Sequence, residues 1–307
     1  MTSVLCPICS SKDSSMYMTE VKDILYKCKG EWDLVRCSSC NVIYTSPPLK
    51  NEELNQYYPS TYSSYNVVNK KRNIFARLVR NILMFPYIIR FGFPDRRVRP
   101  YGQKKLLEIG CGSGVYLYSM SSLGWKCWGI DISVNAIEKS KTLVPSAHIE
   151  QTFLENFETD ELFTMVSISH VLEHIPEPVA AIRRIYKLLE PGGIIEIEVP
   201  NIGSFEAKLF GRKWKGLDVP RHITHFTSET ITKILRSNGF SEIAIKPAMF
   251  SSSISESLTL SFPEKYINKI MNSSLSRMLY YACIFPASLS YFFGNKGVIS
   301  VRARKPA

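Results

Sequence analysis

Four apolar runs between Lys104 and Asn201 set the pattern of this chain. "KKLLEIG", "WKCWGIDIS", "FTMVSISHVLEHI" and "GGIIEIEVPN" are aliphatic stretches of strand length, bounded by glycine, proline or polar turns. Between them, "NAIEKSKTLV" and "PVAAIRRIYKLLEPGG" carry apolar residues at helical spacing, the second closed by the Pro-Gly-Gly stop expected after a helix. Strands alternating with helices predict an α/β fold, a doubly wound parallel sheet that binds ligands at the carboxyl ends of its strands. Near the end, "SEIAIKPAMF" and "GVISVRARKP" read as two further strands, separated by a segment containing "MLYYACIFPASLSYFF". That run is shorter than the ~20 residues a spanning helix needs. Pro286 is expected to break it. A helical lid, a dimer surface and a membrane-dipping hairpin all fit it.

Upstream of Lys104 the texture differs. After "TSPPL" breaks structure, "NEELNQYY" reads as a short helix. "NKKRNIFARLVRNILMFPYIIRFGFP" then repeats apolar residues at helical spacing among arginines until Pro86 and Pro94 interrupt. Such a basic amphipathic helix either packs on its own domain or lies on a membrane surface. The expected organisation is a ribbon over 1–49, a basic helical linker or cap over 50–100, and the main domain over 101–307, with a hydrophobic helical insertion at 251–294.

Charge sharpens this picture. The net charge of +11 is concentrated: Asn69 to Lys105 holds eleven bases against Asp95 alone, and from Thr259 onward Glu264 is the only acid. The first 68 residues are near neutral, with six bases against seven acids. An acidic partner is implied, met by the middle and the end of the chain. The N-terminus "MTSVLCPICSSKD" lacks the pattern of a secretory signal, so a cytoplasmic protein with reduced thiols is expected, peripheral to the inner face of the membrane if the basic helix docks there.

Two CxxC pairs, Cys6/Cys9 in "CPIC" and Cys37/Cys40 in "CSSC", are spaced as two turns that each point two thiolates at one centre, the tetrahedral set zinc prefers. A redox pair would need one CxxC beside a βαβ unit. Four sulfur ligands close the site, so this zinc is structural, and Cys28 between the pairs is a spare thiol.

In "LLEIGCGSGVYL" a strand ends at Glu108 and Gly110, Gly112 and Gly114 follow at alternate positions before a helix, letting backbone approach a ligand closely. A dinucleotide loop would want its third glycine at 115, which is Val115. The next strand ends at Asp131, where an acid accepts both hydroxyls of a ribose.

With these motifs in this order and spacing, the sequence resembles the class I S-adenosylmethionine-dependent methyltransferases, through "LLEIGCGSG", "WGIDIS", "HVLEHIPEP" and "LLEPGGIIEIEVPN", about half the chain. The resemblance implies a Rossmann-like seven-stranded sheet whose last two strands form an antiparallel pair, making 251–294 an insertion. It implies that Gly110, Gly112 and Gly114 cradle the methionine part of the cofactor, that Glu108 supports it and Asp131 holds the ribose, and that Cys111, Ile132 and His170 belong to the same site. Two positions depart from the family: Gln151 or Thr152 stands where an acid often holds the adenine amine, and Thr164 replaces the acid that usually opens the fourth strand. A cysteine ribbon before this fold, with "PRHITHF" after the fifth strand, resembles the subgroup of sugar- and glycan-modifying methyltransferases. An anionic nucleotide-sugar or lipid-linked glycan acceptor would suit the basic surface.

The connection ending in "VPRHITHF" is expected over the carboxyl edge of the sheet, beside the transferred methyl group. There His222 is assigned as general base and Arg221 as a clamp for an acceptor phosphate or carboxylate. His225 is either a second catalytic group or packed behind a helix start capped by Thr227 or Ser228. Zinc is not expected on the two histidines, because no third ligand stands near them in sequence. Two alternatives stay in view: an RNA methyltransferase, favoured by the charge, and a quinone or polyprenyl-phenol O-methyltransferase holding a divalent metal through His170, Glu173 and His174. The relatives of the latter carry an acid at the position of His170, and Glu173 and His174 are expected to cap the following helix. A non-enzymatic binding module is disfavoured by the intact glycine loop and Asp131.

Overall fold

The computed structural model describes residues 5–47, 49, 51–58, 74–91, 104–248, 251–292 and 297–307. Most of the basic run, including Lys70, Lys71, Arg72, Arg96, Arg97 and Arg99, lies outside the described residues.

The N-terminal region forms β1 (Ser14–Val21), β2 (Trp32–Cys37) and β3 (Ile43–Ser46), an antiparallel ribbon followed by α1 (Asn51–Leu54). The pair α2 (Ile74–Leu83) and α3 (Phe85–Phe91) comes next, with Pro86 in the first turn of α3, where its missing N–H costs nothing. The main domain contains β4 (Lys105–Ile109), α4 (Val115–Ser121), β5 (Lys126–Asp131), α5 (Val134–Leu143), β6 (His148–Gln151), β7 (Phe163–Ser169), α6 (Pro178–Leu188) and β8 (Leu189–Pro200). After β8 come α7 (Phe205–Phe210), the two-residue strand β9 (Thr224–His225), α8 (Ser228–Ser237), β10 (Ser241–Ala248), α9 (Ser251–Leu260), α10 (Glu264–Met271), α11 (Ser274–Phe292) and β11 (Val298–Arg304).

The large sheet has seven strands in the order β10-β11-β8-β7-β4-β5-β6. β8, β7, β4, β5 and β6 are parallel, and β11 inserts antiparallel between β8 and β10. Helices cover both faces, so the central strands bury Leu106, Leu107, Val166, Ile168, Ile195 and Ile197 completely. That is why they read as largely apolar runs, interrupted by the buried Glu108, Ser167, Glu196 and Glu198. The chain leaves β4 toward β5 on one side and β7 toward β8 on the other, and the strand order reverses between β4 and β7. Ligand sites form at this switch point, at the carboxyl ends of the strands.

Two expectations need correction. Pro286 does not end its helix: α11 runs through it for 19 residues, its buried face held by Cys283, Ile284, Ala287 and Tyr291 against Met84 and Tyr87 of the α2–α3 region. Packing of that face outweighs the one backbone bond proline removes. "PGG" does not separate α6 from a later strand but lies inside β8, which begins at Leu189 directly after α6. The ribbon extends to the main domain. Its sheet acquires a fourth strand, β9, with Ile43 opposite His225 and Tyr44 opposite Thr224, so the "HITHF" stretch joins the N-terminal ribbon to the main domain.

Candidate functional site

At the switch point the glycine loop is drawn tight. Gly110, Gly112 and Gly114 all have positive φ, 71°, 53° and 76°. A Cβ on Gly110 would fall 2.3 Å from Val171 Cγ2, and one on Gly114 would fall 2.4 Å from Ser140 Oγ. Those two glycines are required by close packing against the β7 exit and α5. Gly112 differs: nothing lies within 4 Å of its missing Cβ, so it opens onto free space while its N–H donates to Asp131 Oδ2 at 2.9 Å. The other oxygen, Oδ1, accepts the Ser133 N–H at 2.9 Å. Asp131, expected from sequence to hold a ribose, ties the loop after β4 to the start of α5. Burial raises its pKa, partly offset by the N–H donors of Ser133, Gly112 and Ile132.

The other expected cofactor residues surround this cradle. Glu108 is buried at the end of β4 and Cys111 is buried in the loop, where burial pushes its thiol up. Ile132 is exposed just beyond β5, and His170 follows β7 in a left-handed conformation, φ 55°. A histidine tolerates that geometry only where its surroundings enforce it, here through its N–H to Glu198 O at 2.8 Å. Gln151 and Thr152 sit beside Asp131: Gln151 Nε2 donates to Ile132 O at 3.1 Å and the Thr152 N–H donates to Asp131 O at 3.2 Å. These contacts gather the glycine loop, the Asp131 carboxylate and the β6 exit at the carboxyl ends of β4 and β5.

Next to it lies a second constellation, assembled from two distant segments. Glu173 and His174 form a short 3₁₀ turn after β7, and His222 arrives from the connection following β8. One ligating atom of each of Glu173, His174 and His222 lies within 4.8 Å of the others. The imidazoles are oriented by backbone carbonyls. His222 Nδ1 is 2.9 Å from Gly216 O and His174 Nδ1 is 2.9 Å from Arg221 O. A carbonyl only accepts, so both Nδ1 atoms carry the proton and both Nε2 atoms hold a lone pair. Tyr58 Oη also meets His174 Nδ1, at 3.0 Å. Glu173 is 1% exposed, and neither carboxylate oxygen has a hydrogen-bond donor at bonding distance. Its nearest neighbours are His170 Nδ1 at 3.5 Å and His222 Nε2 at 3.9 Å.

Electrostatics agree with this geometry. Burial pushes the Glu173 carboxyl up, but His170, His222 and His174 outweigh it and hold it at about 2. Burial drives His222 down to about 4, helped by His174, and His225 to about 3, helped by His222. The two trends compete, since cationic histidines are what lower Glu173. Burial lowers His174 as well as His222, so both of these imidazoles are neutral at neutral pH. Burial and His174 keep His222 neutral. Glu173 and His174 do not cap the following helix, whose N-cap is Glu177 with Pro178 behind it. The third ligand absent from the neighbourhood of His222 in sequence is present in space.

Arg221 is not available to an acceptor. It is completely buried, donating to Asp23 Oδ2 (2.9 Å), to Asp218 Oδ1 (2.8 Å) and Oδ2 (3.2 Å), and to Tyr57 O (3.0 Å), with Tyr26 stacked on the guanidinium at 4.6 Å. Its anionic partners belong to the protein, and they join the ribbon to the loop before β9. The Asp218–Arg221 spacing of three residues is a local signal of half this network; Asp23 is not visible from sequence. His225 is buried in β9, its Nε2 3.4 Å from Thr45 Oγ1, while Thr227 caps α8 in a reciprocal pair with Thr230.

The four cysteines of the two CxxC pairs converge. Cys6 Sγ is 3.6 Å from Cys40 Sγ, and Cys9 Sγ is 3.5 Å from Cys37 Sγ. A tetrahedron of Zn–S bonds of ~2.3 Å has sulfur–sulfur edges of ~3.8 Å. Burial raises Cys6 to about 11, whereas at Cys37 the N–H groups of Cys40 and Ser39 overcome burial and bring the thiol to about 7. Cys28 stands apart from the cluster, 3.8 Å from Arg221 Nη1.

Comparison with known proteins places this geometry. The profile of the Methyltransferase domain family (Methyltransf_23) matches residues 73–245. The ubiquinone biosynthesis O-methyltransferase of Proteus mirabilis (strain HI4320) is 30% identical over 112 residues, 34% of this chain and 45% of that protein. That of Glaesserella parasuis serovar 5 (strain SH0165) is 34% identical over 108 residues, 32% and 46% of the two chains. The chain thus spans about half the length of these curated relatives. Among solved structures, the N-methyltransferase NodS from Bradyrhizobium japonicum WM9 with S-adenosyl-l-homocysteine has a TM-score of 0.43 at 17% identity, covering 77% of this chain and 90% of that one. The [4+2]-cyclase SpnF has a TM-score of 0.46 at 19% identity, covering 78% and 85%. The family match takes in more than half of the sequence, from α2 through the glycine loop and Asp131 to β10, and by it the chain belongs to the methyltransferase-domain family.

Proposed function

We propose that the chain transfers a methyl group from S-adenosylmethionine to an oxygen of a small-molecule acceptor, and that the acceptor is a phenol of the quinone-precursor class. The observation that carries the cofactor is Gly112, open on its Cβ side and bonded through its N–H to Asp131, whose oxygens keep lone pairs for ribose hydroxyls. The phenol is supported by the relatives, named for O-methylation in ubiquinone biosynthesis. The sugar or glycan acceptor loses its main support, because Arg221, the group assigned to its anion, is engaged by Asp23 and Asp218.

S-adenosylmethionine, when bound, supplies an electrophilic methyl carbon on a sulfonium. The acceptor oxygen forms the new C–O bond as the C–S bond breaks, leaving S-adenosylhomocysteine, and the hydroxyl proton must depart. In this chain the glycine loop and Asp131 position the cofactor, Glu108 and Cys111 close the pocket behind it, and His170 at the β7 exit borders it. His222 was assigned as the base. Burial lowers its pKa to about 4, and Nε2, its one free lone pair, is also its ligating atom, so with a cation held there the hydroxyl proton would pass to water and not to His222. The donor set of Glu173, His174 and His222 fits a divalent cation: one carboxylate and two imidazoles whose protons are held by backbone carbonyls. Such an ion supplies Lewis acidity that lowers the pKa of a bound hydroxyl.

Asp131→Ala is expected to lower S-adenosylmethionine affinity at least ~tenfold in calorimetry, because hydrogen bonds to a charged group contribute ~1.5–3 kcal/mol each. Unchanged affinity with the fold intact would remove the cofactor from this pocket.

The ribbon is proposed to hold one structural zinc through Cys6, Cys9, Cys37 and Cys40, supported by their convergence and spacing. A Cys6→Ala, Cys37→Ala double variant is expected to lose that zinc in metal analysis. Retention of the full zinc content by the variant would refute the assignment.

A further inference from the structure

The helices that lie outside the methyltransferase sheet share one small core. Met84 and Tyr87 of the α2–α3 region pack against Ile284, Ala287 and Tyr291 of α11, and the Tyr87 N–H donates to Ser288 Oγ at 2.9 Å. With their inner faces committed there, these helices would be expected to turn polar faces outward. They do not. Leu78, Ile82, Phe85 and Ile89 recur at spacings of four, three and four, on one side of α2–α3, and are 56% to 63% exposed. On α11, Leu275, Met278, Phe285 and Leu289 repeat the pattern at 39% to 66% exposure, with exposed Ala282 in the gap. Each helix is apolar on two opposite sides, and only one side has a partner among the described residues. Exposed apolar surface of this extent marks a contact with something else.

The charges that accompany these stripes identify it. α2, α3 and α11 contain no acidic residue. Arg90 and Arg277 are exposed among the apolar positions, and Lys265 and Lys269 are exposed on neighbouring α10. A surface that is apolar and basic, with Glu264 of α10 as the one acid on these four helices, complements an interface that is apolar within and anionic at its rim, the boundary of an acidic lipid bilayer. No described helix is long and apolar enough to cross a membrane, so contact is confined to the interface.

We infer that the outer faces of α2–α3 and α11 form a docking surface for an anionic lipid bilayer. A stripe of four large apolar side chains buried together outweighs the cost of holding the chain at the interface. The arginines fall where lipid phosphates stand, and their alkyl stems extend the apolar face.

Sedimentation of the full chain with vesicles tests this. The chain is expected to pellet with vesicles of phosphatidylglycerol and phosphatidylcholine in equal parts, and to remain in solution with pure phosphatidylcholine. Ile82→Glu/Phe85→Glu and Met278→Glu/Leu289→Glu, all at exposed positions, should each weaken partitioning at least ~tenfold while leaving S-adenosylmethionine affinity unchanged. If the chain ignores acidic vesicles, or if neither pair of substitutions weakens its binding, the surface is not a membrane site. Light scattering covers the competing occupant: a dimer that the glutamates dissociate, with no vesicle binding, would assign the stripes to a second copy and overturn the proposal. Loss of S-adenosylmethionine binding with vesicle binding intact would instead count against the methyltransferase reading alone.

Discussion

Arg221→Ala lowers the free energy of unfolding by about 3–5 kcal/mol, read as a shift of the urea midpoint at neutral pH. The guanidinium is fully buried and satisfies two carboxylates, Asp23 and Asp218, each no more than 3% exposed. Removing it leaves two anions in a site they cannot leave. Asp218 fares worse, although Lys215 Nζ remains 3.8 Å away. Typical domain stability is about 5–15 kcal/mol, so this substitution threatens the fold itself. Arg221→Lys is expected to recover only a fraction, because one ammonium cannot reproduce the fork that meets both Asp218 oxygens and Asp23. The pairs hold the Asp218 carboxyl below the usual carboxylate range: burial opposes this, and Lys215 and Arg221 outweigh burial. A depressed carboxyl stabilises the fold above its unfolded pKa, and that contribution is lost as pH falls through the folded value. The unsubstituted chain should therefore show an acid-dependent loss of stability that is blunted in Arg221→Ala. An Arg221→Ala protein with the original midpoint would show the network to be energetically neutral.

What the sequence reveals about this molecule divides by distance along the chain. β4, β5, β7 and β8 are legible because a parallel strand covered on both faces is apolar at most positions, a signal contained within the strand. The glycine loop and Asp131 are legible for a similar reason, since strand, loop and helix follow one another directly. β9 is only two residues long and owes its existence to the edge of β3, so no local pattern announces it. Arg221 and Asp23 meet across 198 residues, and "VPRHITHF" alone cannot tell a buried structural arginine from an exposed anion clamp. The helix α11 shows the reverse error. Local chemistry at Pro286 argues for a break, yet a face packed against α3 and α9 holds the helix together.

Glu173→Gln reduces turnover with a phenolic acceptor at least ~100-fold while leaving S-adenosylmethionine affinity within a factor of ~two. Glutamine keeps the volume of the fully enclosed side chain and removes its charge, so packing is little disturbed, and the cofactor cradle of Gly112 and Asp131 is made by other residues. A buried carboxylate without a hydrogen-bond donor at bonding distance costs several kcal/mol unless a cation accompanies it. Nearby His174 and His222 hold Nε2 lone pairs, because their Nδ1 protons are bound by Arg221 O and Gly216 O. If this set binds a divalent ion, the unsubstituted chain carries metal beyond the zinc assigned to the four cysteines. Glu173→Gln should lose that excess while its cysteine-bound metal stays in place. Activity should fall on chelation in the parent and respond little to added metal in the variant. A purely structural Glu173 predicts something else: lower thermal stability in the variant, with metal content unchanged. A variant that turns over as fast as the parent would leave the Glu173, His174 and His222 cluster without a part in the chemistry.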